Sequence, residues 1–288
     1  RTKLIDSEVK KGRQLGIFYG ENSTSPISSI NSIKAIENLI SMVKNHGGKA
    51  GWFIRDLHFM DSEIYTSKNK ENMASWARFE FAALSEKIDI FYVPTDKSGD
   101  VFRKYLRENS RQNTNWISLP PGMTGLAAPP VLSANPTAIG FVYTGGLGPI
   151  YKMDSYLNAV KKFANEADVK FDFIVRESEK KYLDEIADLG PSIRITTDEF
   201  THYRGNARQL IGVSLLESDY AGAGFPLKIV NYAARSIPVM YFSGSSYAYF
   251  LRESDIGLEI KNKSDLIDSM QGLIDRARRN EIIVPSAN

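Results

Sequence analysis

The 288-residue sequence contains no cysteine, which excludes disulfides, thiolate nucleophiles and cysteine-ligated metal centres. Its three histidines, His46, His58 and His202, lie far apart and show no metal-ligand spacing, so no metal site is expected. No apolar run approaches the ~18 residues of a membrane span, and the N-terminus lacks the pattern of a signal peptide. A charge excess is missing too. Thirty-six Lys+Arg against 34 Asp+Glu leave a net charge of +2, no field for a nucleic-acid partner. These absences lead to a cytoplasmic protein, with contact at the inner face of a membrane left open.

What is present is the composition of a folded chain, 42% hydrophobic and 24% charged, long enough for two domains. Short apolar runs alternate with amphipathic stretches from the start. A strand candidate at Leu15 to Tyr19 precedes a helical pattern of Ile30, Ile33, Ile36, Leu39, Ile40 and Val43, stopped by His46-Gly47-Gly48. Then come the strand "AGWFIRD", a helix from about Asn72 to Glu86, the strand "DIFYV", a helix near Asp96 to Arg107 and the strand "NWISLP". Such alternation predicts a parallel α/β sheet.

"LPPGMTGLAAPPVLSANP" interrupts the rhythm and reads as a linker near residues 120–136, dividing a first domain, 1–132, from a second, 133–288. Beyond it the alternation restarts. Strands are expected at "AIGFVYTG", "FDFIV", "SIRIT", "LIGVSLLE", "IPVMYF" and "GLEI". Helices are expected from Met153, over "EKKYLDEIADLG", near His202, from Pro226, near Tyr247 and along the stripe Leu266, Ile267, Met270, Leu273, Ile274 and Ala277.

In open α/β sheets ligands bind beyond the carboxyl ends of the strands. That rule singles out four loops: "IRDLHFMDSE", "YTGGLGPIYK", "VRESEK" and "LESDYAGAGFPLK". In the last, Pro226 starts a helix and Lys228 occupies its first turn, where the helix end already carries positive charge. An anion such as a phosphate reverses that penalty. Taken alone, such a lysine more often snorkels to solvent. Gly222 and Gly224 permit close approach of a ligand to backbone, and Gly145-Gly146 forms a second turn directly after a strand. In the first domain Arg55, Asp56 and His58 cluster at a strand end. An ion pair and a packing histidine are the common outcomes there, yet the place also suits groups that position or deprotonate an acceptor.

The pattern Pro226-x-Lys228-x-x-Asn231-Tyr232-x-Ala234-x-Ser236-x-Pro238-Val239 resembles the donor segment of GT-B glycosyltransferases, in particular the retaining, family-four-like group. There the usual form is P-x-K-x-x-E-Y-x-A-x-G-x-P-V. "FVYTGGLGPIYKMDSYLNAV" is similar to the opening of that family's second domain, with Asp154, Leu157 and Ala159 matching D-x-x-L-x-A. "IRDLHF" and "LPPGM" are weaker matches in the first domain. The resemblance covers about residues 50–280.

It implies two Rossmann-like domains with parallel sheets facing a cleft, and a sugar moved from a nucleotide-diphosphate sugar to an acceptor hydroxyl with retention. The acceptor is a carbohydrate or glycolipid, as in cell-surface polysaccharide synthesis, and neither a metal nor a separate cofactor is needed. On this resemblance Gly145, Gly146, Lys152 and Lys228 hold the donor diphosphate, and Asn231, Ala223, Gly224 and Phe225 meet the donor sugar and ribose. Asp56 and His58 serve the acceptor. The chain departs from the pattern where Asn231 and Ala223 replace acids and where Tyr151 replaces a lysine. Those departures keep a binding module without turnover as an alternative; the other alternative, a GT-B-shaped epimerase, needs paired acids that the sequence does not offer. Compared with the family, the first domain reads as incomplete, and both ends of a longer chain are expected to be missing.

Overall fold

The computed structural model describes residues 7–22, 25–60, 67–107, 114–122, 137–147, 151–198, 200, 207–281 and 283. By internal contacts the chain divides into two units, Arg1–Pro120 with Gly222–Phe225, and Pro121–Ala221 with Pro226–Asn288.

The first unit carries strands β1 (Ile17–Asn22), β2 (Lys49–Ile54), β3 (Ile90–Val93) and β4 (Trp116–Ser118), side by side in that order and all parallel. Helices α1 (Ile30–Asn45), α2 (Ser67–Ser85) and α3 (Asp96–Leu106) connect them. The helix boundaries follow from capping chemistry. The Ser29 hydroxyl accepts the Ser32 N–H at the start of α1, and Gly47, at φ 81°, turns the chain away at its end. Thr95 likewise accepts the Ser98 N–H at the start of α3, and Arg107 leaves it in a left-handed conformation. Trp52, Phe81, Phe91 and Phe102 fill the core, which Ala223 also joins.

The second unit holds a six-stranded parallel sheet in the order β10-β9-β8-β5-β6-β7. These strands are β5 (Thr137–Thr144), β6 (Val169–Ile174), β7 (Ile193–Thr196), β8 (Ala207–Ser214), β9 (Val239–Phe242) and β10 (Gly257–Ile260). The chain runs outward through β6 and β7, then returns to the other side of β5 with β8. Between β5 and β8 the strand order therefore reverses, the usual place for a ligand in a doubly wound sheet. Around the sheet lie α4 (Asp154–Phe163), α5 (Asp184–Ala187), α6 (Lys228–Ala233), α7 (Ala248–Glu253) and α8 (Leu266–Arg278). In α8 the expected stripe is buried at Leu266, Met270, Leu273, Ile274 and Ala277.

Two expectations change. "EKKYLDEIADLG" is not one α-helix but a 3-10 segment, Glu177–Leu183, followed by the single turn α5. Leu183, at the end of the 3-10 segment, and Ile186, in the turn that follows, are both fully buried. The helix expected from Pro226 starts at Lys228 instead, with Pro226 and Leu227 forming the turn that leads in. Most of the linker, from residue 123 to 136, and the helix near His202 fall outside the described residues.

Candidate functional site

The site of the second unit is assembled from loops that leave the carboxyl ends of β5 and β6 and from the start of α6. What fixes α6 is Tyr232. Its ring packs against Gly212 of β8, where an added Cβ would lie only 2.6 Å from ring carbons, so glycine there makes room for the tyrosine. Its buried hydroxyl donates to the Val142 carbonyl at 3.0 Å and accepts the Thr144 N–H at 3.0 Å. One side chain thus locks the helix onto the last residues of β5. Four residues earlier on the same face stands Lys228.

Lys228 does not snorkel. It is 7% exposed, and its Nζ has no hydrogen-bond partner. The amine lies 3.6 Å from the centroid of the Tyr143 ring and 5.5 Å from that of Tyr151. Burial pushes its pKa well below the ordinary lysine value, opposed by the charge of Glu179. Resting on a π face recovers part of the lost hydration, but a buried amine keeps a strong demand for acceptors.

Of the two glycines expected to contact phosphate, Gly145 lies against this amine and Gly146 follows it in the same turn, against Tyr151 and Glu179. Gly145 has φ 117°, a left-handed backbone, and its N–H donates to the Ile174 carbonyl at 3.1 Å. A Cβ added there would be 3.4 Å from Cε of Lys228 and 3.5 Å from its Nζ. At Gly146 an added Cβ would meet Tyr151 at 2.7 Å and Oε1 of Glu179 at 3.3 Å. The Tyr143 hydroxyl donates to the Gly146 carbonyl, tying the turn to the ring beneath the lysine. The expected Lys228, Gly145 and Gly146 therefore converge.

The other donor-side residues are arranged differently. Lys152 is half-buried and its carbonyl accepts the Glu217 N–H at 3.0 Å. Glu217 in turn accepts the Ser155 N–H at 2.7 Å and pairs with Lys263 at 3.0 Å, joining the loop after β8 to the first turn of α4. Asn231 is exposed, three residues beyond Lys228 on α6. Ala223, Gly224 and Phe225 are buried and count with the first unit, where the Ala223 carbonyl accepts the Ser98 hydroxyl at 2.6 Å.

In the first unit Asp56 accepts Nε of Arg55 at 3.0 Å and lies 3.7 Å from Nε2 of His58, while Arg55 also reaches Glu21 at 3.2 Å. Burial lowers the His58 pKa, which keeps the imidazole neutral at pH 7. Asp56 shares a cavity lining with Asn22, Trp52, Phe59 and Glu80. Glu80 is buried and accepts Asn22 Nδ2 and the Ile27 N–H, each at 2.6 Å, and burial raises its pKa despite those bonds.

Tyr143, Glu179 and Glu80 escape the sequence reading. Tyr143 sits inside a strand pattern and Glu80 inside a helix, where nothing local marks them. The loop "VRESEK" is singled out, but which of its two glutamates turns inward depends on the 3-10 winding. Among the described residues no group of three or more His, Asp or Glu side chains is placed to hold a metal ion, and no helix is long and apolar enough to cross a membrane.

No protein-family model matches the sequence, and comparison with curated proteins finds no match. Solved structures do match in fold. HepE of Anabaena in complex with UDP aligns with a TM-score of 0.59 at 11% identity, over 97% of this chain and 74% of that one. TarM aligns with a TM-score of 0.58 at 14% identity, over 97% and 54%. The GtfA/B complex gives 0.52 at 12% identity, over 86% and 56%. The chain spans about half the length of the GtfA/B and TarM chains it matches. The fold is α/β, with two parallel sheets, and is that of the GT-B glycosyltransferases.

Proposed function

We propose that this GT-B chain is a glycosyltransferase that moves a sugar from a nucleotide-diphosphate sugar to an acceptor hydroxyl with retention of anomeric configuration. The observation that carries the proposal is the buried Lys228 amine, without a hydrogen-bond partner, against the Gly145-Gly146 turn at the reversal point of the sheet. A leaving diphosphate supplies the acceptors that the amine lacks, and a cation in a dry site stabilises charge developing on the leaving oxygen. That stabilisation is of the kind that makes a metal ion dispensable. Related solved proteins carry fitting ligands: HepE was obtained with UDP and glucose, and the pneumococcal GtfA with UDP and GlcNAc.

In the reaction the bond from the anomeric carbon to the β-phosphate oxygen breaks, a bond to the acceptor oxygen forms, and the acceptor hydroxyl gives up its proton. Lys228 binds the departing phosphate. Asp56 and the neutral His58 are assigned to the acceptor hydroxyl, which they orient and whose proton they receive. Lys152, Asn231, Ala223, Gly224 and Phe225 complete the proposed donor contacts. A carbohydrate or glycolipid acceptor, used in cell-surface polysaccharide synthesis at the cytoplasmic face of a membrane, is the substrate class proposed.

Calorimetry with UDP, GDP and dTDP, together with donor-hydrolysis assays, tests the reading. Binding with turnover of the matching donor is expected. Binding without hydrolysis or transfer would leave a nucleotide-sugar-binding module, and binding of none of the three would remove the donor site altogether.

A further inference from the structure

Lys228 is not the one orphan of this site. Oε2 of Glu179 is also buried with no hydrogen-bond partner. Glu179 stands on the 3-10 segment that follows β6. Its carboxylate and the Lys228 amine approach neighbouring residues of one turn, 3.3 Å from a Cβ position on Gly146 and 3.5 Å from one on Gly145. They interact electrostatically, yet they do not bond to each other, although a direct ion pair would satisfy both. An arrangement that buries an amine and a carboxylate oxygen against one turn and leaves both Nζ and Oε2 without a hydrogen-bond partner has room for a third party.

The chemistry of that third party is constrained from both sides. Lysine offers only donors and needs an acceptor, whereas an ionised carboxylate offers only acceptors and needs a donor. A bare phosphate or pyrophosphate satisfies the lysine but brings a second anion against the carboxylate. A hydroxyl alone satisfies the carboxylate but neutralises nothing. A phosphoryl group with a hydroxyl-bearing sugar attached meets both demands in one ligand.

We infer that Glu179 is the hydroxyl-accepting carboxylate of this site, so that the ligand places a phosphoryl oxygen on Lys228 and a sugar hydroxyl on Glu179. This rests on the donor-site reading of Lys228 and adds a specificity element to it. The site selects phosphorylated sugars and discriminates against phosphate without a polyol. The hydroxyl belongs either to the ribose of the nucleotide or to the transferred sugar.

The test is calorimetry on the whole chain and its Glu179→Ala, Glu179→Gln and Lys228→Ala variants. The probes are pyrophosphate, UDP, GDP and dTDP, with UDP-glucose, GDP-mannose and dTDP-glucose, and thermal melts check that each variant is folded. A charge-assisted hydrogen bond lost to truncation predicts affinity for a nucleotide-diphosphate sugar weaker by ~10- to 100-fold in Glu179→Ala, and by less in Glu179→Gln. Pyrophosphate should bind Glu179→Ala as well as, or better than, the parent. An equal loss for the free nucleoside diphosphate assigns the hydroxyl to ribose, and a loss confined to the sugar nucleotide assigns it to the transferred sugar. Parental affinity in Glu179→Ala for every probe, or an equal change for pyrophosphate and sugar nucleotide, overturns the inference. If Lys228→Ala still loses all binding, the donor site itself stands in that event. A parent chain that binds none of the probes removes the donor site and this inference with it.

Discussion

The Nζ of Lys228 lies 3.6 Å from the centroid of the Tyr143 ring, so a buried amine rests on an aromatic face instead of on an acceptor. The pair is a poor arrangement for stability and a good one for capturing an anion. Replacing Lys228 with methionine, which keeps most of the volume and removes the unmet polar group, is expected to stabilise the ligand-free protein by about 1–3 kcal/mol. A rise in Tm of a few degrees checks this. The same variant should lose nucleotide-diphosphate binding, and a lower Tm would contradict the burial argument.

The pH dependence follows from the same amine. Its folded pKa lies below the ordinary lysine value of 10.5, so between the two values the unfolded chain binds the extra proton. Stability of the free protein then rises with pH across that window, and the advantage of Lys228→Met shrinks as pH approaches 10.5. The diphosphate role proposed for Lys228 needs the charged amine, so in the same window binding is expected to take up a proton and to weaken as pH rises. Calorimetry in buffers of different ionisation enthalpy reads the proton uptake directly.

Tyr232→Phe keeps the ring against Gly212 and removes only the hydroxyl that bridges the Val142 carbonyl and the Thr144 N–H. A loss of about 1–3 kcal/mol is expected from denaturant titration, the usual consequence of stripping a buried polar pair of its partner. Binding should weaken less than in Lys228→Ala, because the lysine is retained and only its mounting loosens.

Gly145→Ala combines a φ of 117°, which L-residues rarely adopt, with a methyl 3.4 Å from the Lys228 side chain. Destabilisation of at least ~1 kcal/mol, together with reduced nucleotide affinity, is the expected result in paired melting and binding experiments.

His58 titrates in the opposite sense from a salt-bridged histidine. Its folded pKa lies below 6.5 because burial disfavours the cation, so the folded state resists protonation. Stability is fully kept above pH 6.5 and declines as pH falls below it. His58→Gln should flatten the curve of stability against pH below about 6.5, and an unchanged curve would refute the burial effect.

The sheet pattern is largely legible in the residues. "GLEI" and the Leu266-to-Ala277 stripe coincide with β10 and the buried face of α8. Ser29 and Thr95 cap α1 and α3, and both helices run within a residue of the spans that periodicity indicates. Such features are local, set by spacing and caps. The approach of Lys228 to the Gly145-Gly146 turn is also legible, because glycines after a strand and a lysine after a proline mark themselves. Glu179 is not, since it stands on a 3-10 segment where the residue pattern reads as an α-helix. The role of Tyr143 is hidden for a related reason. An aromatic residue at a strand end reads as core, and only the approach of a distant helix converts its face into a seat for an amine.

The Tyr232 anchor has an evolutionary corollary. The helix that bears Lys228 is indexed to the end of β5 by a side chain, not by the loop that leads into it. The placement of the amine therefore does not hang on the lead-in loop alone, and a change at an exposed position of that loop, such as Leu227, leaves Tyr232 holding Lys228 in place. A lineage built on this scaffold is able to vary such positions without moving the buried amine.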